Sequence, residues 1–231
     1  MVYKVDSTGH ETVLHSFTGG ADGGQPGSGV IHDSAGNLYG TCYQGGADGA
    51  GVVYKIAPDG TETVLHNFTG GADGGQPYSV VIGGANGRLY GTTTSGGVSG
   101  HGVLFELSSG SETVVYNFTG AVDGSSPGPL IRDASGNFYG TAGGGPKGGG
   151  VVFKVDTTAH ETVVYGFTAP HDGSVPSSGV IRDSAGSFYG TTSAGVCTIR
   201  EPSSSWMQAV MRQSSTASSP RLEQAERQPE I

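Results

Sequence analysis

Four aspartates sit at one recurring place in the chain: Asp22, Asp73, Asp123 and Asp172, each followed by glycine and, three residues after that glycine, a proline. The immediate pattern is [GA]-x-D-G, with Pro170-His171-Asp172-Gly173 as the last variant. Carboxylates in loops are the natural ligands of a hard cation, and Ca²⁺ wants six to eight oxygens. Each loop offers only one carboxylate, with no D-x-D-x-D run. An Asx turn followed by a positive-φ glycine explains the same residues. These four aspartates are the candidate ligand-binding residues, and Ca²⁺ is the one cofactor they could hold.

Other polar groups recur too. Glu11, Glu62, Glu112 and Glu161 open one repeated segment, so they are expected to be spread along the array and not paired. A glycosidase needs two carboxylates about 5–9 Å apart, one with a raised pKa. His15 and His66 are replaced by Tyr116 and Tyr165 in equivalent segments, which suits amphipathic packing better than an imidazole site. No Gly-x-Ser-x-Gly elbow and no Gly-Lys-Ser phosphate loop is present. The residues therefore name no catalytic group and no metal cluster.

What positions these residues is a repeat of about 50 residues. E-T-V-[LV]-[HY]-x-F ends at Phe17, Phe68, Phe118 and Phe167, and [LF]-Y-G-T carries Tyr39, Tyr90, Tyr139 and Tyr189. A fixed period of this size means one supersecondary unit covering the apolar face of the next. Repeats are read over about 1–52, 53–103, 104–151 and 152–195. Within a unit, Val30-Ile31, Leu38 to Thr41, Val52 to Ile56 and Glu62 to Phe68 read as strands, separated by Asp33-Ser34-Ala35-Gly36, a glycine-rich loop and Pro58-Asp59-Gly60. A strict period of two would place Val64, His66 and Phe68 on one face of the last strand.

Four short antiparallel strands in such a length describe a blade of a β-propeller. The fold class expected is all-β, an array of about four such blades, closed or an open fragment of a larger ring. The chain opens with the third and fourth strands of a blade and ends its last repeat with the first two strands of another. Those halves could pair and close the ring. Rings at Phe17, Phe68, Phe118, Phe167, Tyr3, Tyr54, Phe105 and Phe153 are expected to be core. A ladder of stacked rings for carbohydrate is the alternative.

Composition bounds the rest. The net charge is −9, from 20 acidic and 11 basic residues, which argues against nucleic acid and anionic membranes as partners. No apolar run is long enough to span a bilayer. Met1 to Val5 already reads as a strand, not as a signal peptide. Cys42 and Cys197 stand at non-equivalent points and read as two incidental thiols.

All 44 glycines lie at or before Gly195, and the character of the chain changes after Val196. By composition residues 196–231 read as disordered. Joining the third base of each codon to the first two of the next makes Trp206-Met207 read Asp and Met207-Gln208 read Ala. Suitable synonymous codons let the stretch read D-S-G-T-V-F-K-L-D-A-G-G-H-E-T-V-V-Y-S-F, the missing strands of the last blade. The tail is therefore expected to be an out-of-frame reading of a further repeat, and the alternative frame of the coding DNA is where that is checked.

The unit G-V-V-Y-K-I-x-P-D-G-T-E-T-V-L-H-x-F, then D-G-x-x-P, then A-G-N-L-Y-G-T, resembles the tandem GloVer repeat of Gloeobacter and Verrucomicrobia, and more loosely the NHL type of propeller blade. The resemblance covers Met1 to about Gly195. It implies a bacterial, exported protein, extracellular or at the cell surface in its full-length relatives. No leader and no anchor is recognised in this chain. The expected function is a non-catalytic binding or scaffold module with glycan or protein partners. A carbohydrate-active lyase or hydrolase seated in a propeller channel is the alternative.

Overall fold

Alternating β-branched and aromatic residues broken by Asp-Gly turns fold into short strands, as their preference for a pleated, half-buried surface dictates. The structure is a computed structural model, and it describes residues 1–168 and 172–195. The tail at 196–231, with Cys197 and its frame assignment, lies outside the described residues, as does His171.

The strands are β1 (Val2–Val5), β2 (Glu11–His15), β3 (Ile31–His32), β4 (Leu38–Cys42), β5 (Val52–Ile56), β6 (Glu62–Asn67), β7 (Ile82–Gly83) and β8 (Leu89–Thr92). They continue as β9 (Val103–Ser108), β10 (Ser111–Asn117), β11 (Ile131–Arg132), β12 (Phe138–Ala142), β13 (Val151–Val155), β14 (Glu161–Gly166), β15 (Ile181–Arg182) and β16 (Phe188–Tyr189). Three four-stranded antiparallel sheets follow chain order, β3–β6, β7–β10 and β11–β14. They are blades 1, 2 and 3 of a β-propeller-type array. Two two-stranded half-blades flank them, β1–β2 and β15–β16, and these remain separate sheets. The described array is open.

The turn between the first two strands of a blade is built as its residues require. Asp33 Oδ1 accepts from the backbone N–H of Ala35 and Asn37, both at 2.9 Å, and Oδ2 accepts from the Tyr39 hydroxyl at 2.9 Å. Asp133 repeats the bonds to Asn137 and Tyr139. The Asn137 side chain and then its N–H hold the Asp133 carboxyl down at about 2, against the opposing effect of burial.

The strict two-residue alternation fails in the fourth strand. Register shifts between Val53 and Tyr54, so that Tyr54 faces Val64 while Val53 faces His66. Leu65 is the extra residue of a β-bulge, which turns the strand over. Val64 packs backward with Tyr54 and Phe17, whereas Leu65 and Phe68 pack forward with Val81 and Phe105. Val64 therefore does not share a face with His66 and Phe68. The same shift recurs at Val2/Tyr3, Val114/Tyr116 and Val152/Phe153.

The core lies between blades. Phe68, Phe105, Phe118 and Phe153 are fully buried. Ring pairs cross each junction: Phe17–Tyr54 at 4.8 Å, Phe68–Phe105 at 5.2 Å and Phe118–Phe153 at 4.9 Å between centroids. A row of hydroxyls adds a polar latch. Thr41, Thr92 and Thr141 donate to the carbonyls of Ser79, Gly128 and Ser178 in the next blade, at 3.0, 2.9 and 2.9 Å.

Candidate functional site

The four loop aspartates each close their own loop. The backbone N–H of Thr18, Thr69, Thr119 and Thr168 donates to Asp22, Asp73, Asp123 and Asp172 at 2.8, 2.9, 2.7 and 2.7 Å. The hydroxyls of the same threonines donate as well. The aspartates stay in separate junctions and are not brought together. Among the described residues no three His, Cys, Asp or Glu side chains are placed to hold a metal ion.

The His-to-Tyr swap acquires a reason here. His15 and His66 put Nε2 at 3.6 and 3.4 Å from the Oδ2 of Asp22 and Asp73. Tyr116 and Tyr165 donate their hydroxyls to Asp123 and Asp172 at 3.0 and 2.5 Å. Imidazole and phenol are both amphipathic, and each lays its ring edge-on against the phenylalanine two residues later, at 4.6–5.1 Å. The imidazole falls short of a good hydrogen bond: both Nε2 atoms are buried with no well-formed partner. Burial lowers the His66 pKa, and Asp73 works in the opposite direction.

Across each junction the following blade adds a glutamate. Glu62 is near enough to His15 and Asp22 to feel their charges, and Glu112 and Glu161 likewise feel Asp73 and Asp123. Oε1 of Glu62, Glu112 and Glu161 is buried with no hydrogen-bond partner. Burial first, and the aspartate second, push Glu112 up to about 7. Glu161 rises to about 6 for the same reasons. Carboxylates expected to be unpaired are thus coupled two by two at the seams. Glu11, with no described sheet before it, is exposed.

This coupling predicts a pH dependence. A glutamate whose folded pKa is raised stabilises the fold below its ordinary value of 4.5 and loses that contribution as pH climbs through about 7. Glu112→Gln removes the charge while keeping the shape. Because Glu112 is only half-buried, solvent screening reduces the gain to about 1 kcal/mol at pH 8, or roughly 2–4 °C in Tm. At pH 4.5 the variant should match the parent. Thermal unfolding at the two pH values checks this, and an equal shift at both would contradict it.

A groove and an aromatic pair lie apart from the aspartate loops. A groove of about 410 Å³ is lined by Ile131, Arg132 and Asp133 and their equivalents Ile181, Arg182 and Asp183. Its arginines already serve the seams: Arg132 lies 5.1 Å from the Tyr90 ring and 5.3 Å from Phe138. Arg182 lies 5.3 Å from Tyr139 and 5.4 Å from Phe188. Tyr43 and Tyr78 meet edge to face at 6.0 Å, and Tyr78 is 60% exposed. Position 43 is matched by Thr94, Gly143 and Ser193, and position 78 by Gly27 and Ser177. The repeat does not need these rings. They escaped the sequence reading because it followed what recurs, whereas the signal was a departure from recurrence.

Solved structures resemble the array. A gluconolactonase from Xanthomonas campestris shares 17% identity, with a TM-score of 0.52 over 82% of this chain and 61% of its own. Streptogramin B lyase shares 14%, with a TM-score of 0.51 over 80% of this chain and 53% of its own. The chain thus spans little more than half the length of these proteins, and the likeness is one of fold. No curated protein matches by sequence. The Gloeobacter/Verrucomicrobia repeat model matches residues 1–199, reaching from the first half-blade past the last described residue. With its repeats, turns and seams accounted for by that one unit, the chain belongs to the Gloeobacter/Verrucomicrobia repeat family.

Proposed function

We propose that this chain is a non-catalytic binding module and that the Tyr43–Tyr78 surface takes a glycan. The observation that carries the reading is this off-repeat pair of rings. The ladder rings Tyr54, Phe68, Phe105, Phe118 and Phe153 are buried in seams, while Tyr78 presents an apolar face to solvent beside a second ring. Sugar C–H faces stack on such rings, and the phenol tips can bond to hydroxyls. On this reading the setting is the cell surface or the extracellular space, and protein partners are the other occupants a scaffold of this kind takes.

A glycan array followed by calorimetry on the hits is the test. Tyr78→Ala should weaken binding about tenfold, the equivalent of roughly 1.4 kcal/mol of lost stacking. Its Tm should fall by less than that of a core-ring variant, because Tyr78 is 60% exposed and meets the neighbouring blade through its edge-to-face contact with Tyr43. Undiminished affinity in the variant would refute the assignment.

A carbohydrate-active lyase or hydrolase is the second reading, and one observation favours it. Glu112, raised to about 7 by burial and by Asp73 beside it, has the raised carboxyl that a general acid needs. Against it, Glu161 and Asp123 repeat the arrangement one blade on, which suits a structural role. Turnover of an array hit that Glu112→Gln abolishes would favour the enzyme.

A further inference from the structure

The two half-blades are complementary halves of one blade. β15–β16 supplies the first and second strands, and β1–β2 the third and fourth. Each half lacks what the other carries. Tyr3 is 58% exposed, although its equivalents Tyr54, Phe105 and Phe153 are at most 1% exposed. Those rings lie across a second-strand glycine of their own blade: a Cβ at Gly91 would come within 2.6 Å of Phe105, and one at Gly140 within 2.7 Å of Phe153. At Gly190 a Cβ would meet no ring, only Val180 and the Gly179 carbonyl. By repeat equivalence an aromatic belongs at this place, and no described ring lies there.

The seam face shows the same match. Val30 is 41% exposed, against 0, 4 and 5% for its equivalents Val81, Leu130 and Val180. Ile181 is 69% exposed, although Ile31, Ile82 and Ile131 pack onto the next blade. The hydroxyl latch also stops short. Thr191 bonds the Ser178 hydroxyl at 2.7 Å, as Thr41 and Thr92 bond Ser28 and Ser79, but Thr41, Thr92 and Thr141 also donate onward to a following blade. By repeat equivalence the acceptor for Thr191 is the Ser28 carbonyl.

We infer that a second copy of this chain completes the blade, with β16 of one copy pairing antiparallel to β1 of the other. The register follows from blades 1 and 3, where Tyr39 faces Lys55, Gly40 faces Tyr54, Tyr139 faces Lys154 and Gly140 faces Phe153. Tyr189 then faces Lys4, and Gly190 faces Tyr3. Tyr3 reaches the Phe167 ring of the first copy, as Phe153 reaches Phe118. Ile181 covers Val30 of the second copy. The join buries apolar surface and ends two open edges at once. Residues 196–231 contain no Phe or Tyr, so they hold no residue of the type the Gly190 position accommodates elsewhere. The join is head to tail, and it closes as a ring or continues as a filament according to its rotation.

The test mixes two single variants, Lys4→Cys and Tyr189→Cys, each in the full chain carrying Cys197→Ser. Directly opposed residues place Cβ atoms about 4.5–5.5 Å apart, near enough to oxidise to a disulfide with slight adjustment. A disulfide-linked dimer in the mixture, absent from either variant alone, is expected. Light scattering on the parent should give at least twice the monomer mass. Tyr3→Asp should return it to monomer with unchanged circular dichroism, because Tyr3 is exposed within one copy. A parent that stays monomeric at high concentration, with no mixed disulfide, would overturn the inference. So would a Lys4→Cys/Tyr189→Cys double variant that links only within its own chain, because that is closure of a four-blade ring.

Discussion

Phe118→Ala is expected to lower stability by about 3–5 kcal/mol, the cost of removing a fully buried ring together with the cavity it leaves. Phe118 ends the fourth strand of blade 2 and is completely enclosed. It meets Phe153 of blade 3 at 4.9 Å and Tyr116 at 5.1 Å. Leu104, Leu130 and Val151 belong to the same cluster. Phe153, Tyr116, Leu104 and Val151 are held in strand register and cannot collapse into the gap, so the cavity persists. Phe17→Ala is the control. Its ring does the same job against Tyr54 at 4.8 Å but is only half-buried in the first half-blade. It should cost about 1–2 kcal/mol, in proportion to the smaller area withdrawn from water. Denaturant unfolding of both variants decides the point. Equal losses would mean that the seams contribute evenly along the array and that burial at Phe118 is not what holds blades 2 and 3 together.

The parts of this fold that were readable in the sequence are those with short memory along the chain. Asp33 caps its own turn through residues two to six positions on, and Asp133 does likewise. Tyr54, Phe105 and Phe153 announced themselves as core because an aromatic recurring in a strand must be covered on both faces of a stacked array. The bulge at Leu65 was not readable. It trades one hydrogen-bonded pair for a face change, and no residue type at that position demands it. The seam clusters were hidden for a different reason. Glu112 feels Asp73 from 39 positions away, and the Thr41 latch spans 38. Such pairs depend on where one blade settles on the next. The equivalence of Glu11, Glu62, Glu112 and Glu161 suggested separation, but repeat symmetry brings Glu62, Glu112 and Glu161 near the preceding unit's loop aspartate instead. Tyr43 and Tyr78 were hidden by the symmetry itself.

Gly102→Ala should be the most damaging small substitution in the chain, at about 4 kcal/mol or more, a loss reserved for changes with a specific structural cause. Gly102 precedes the third strand of blade 2 with φ of +96°, a conformation that L side chains rarely adopt. Its N–H donates to the Gly96 carbonyl at 2.9 Å, and its own carbonyl accepts from the Phe118 N–H at 3.0 Å. The backbone is therefore fixed on both sides. A Cβ there would overlap the Thr93 carbonyl oxygen and come within 2.8 Å of Pro127 Cδ. Thr93 cannot retreat, since its N–H bonds the Val103 carbonyl at 3.0 Å within the same sheet. Pro127 is the proline of the D-G-x-x-P loop, and Gly51 meets Pro77 in the same way at 2.5 Å. The spacing of that loop is thus explained by the flat backbone it must lie upon. Gly100→Ala separates the two contributions. Gly100 also has a positive φ, +77°, but nothing lies within 4 Å of the position its Cβ would take. It should lose only the conformational cost of about 1 kcal/mol, or roughly 2–4 °C in Tm. Gly102→Ala should lose about four times that or fail to fold. If thermal unfolding gave the two variants the same Tm, the steric fit between blade and loop would carry no weight, and backbone conformation alone would account for the glycine.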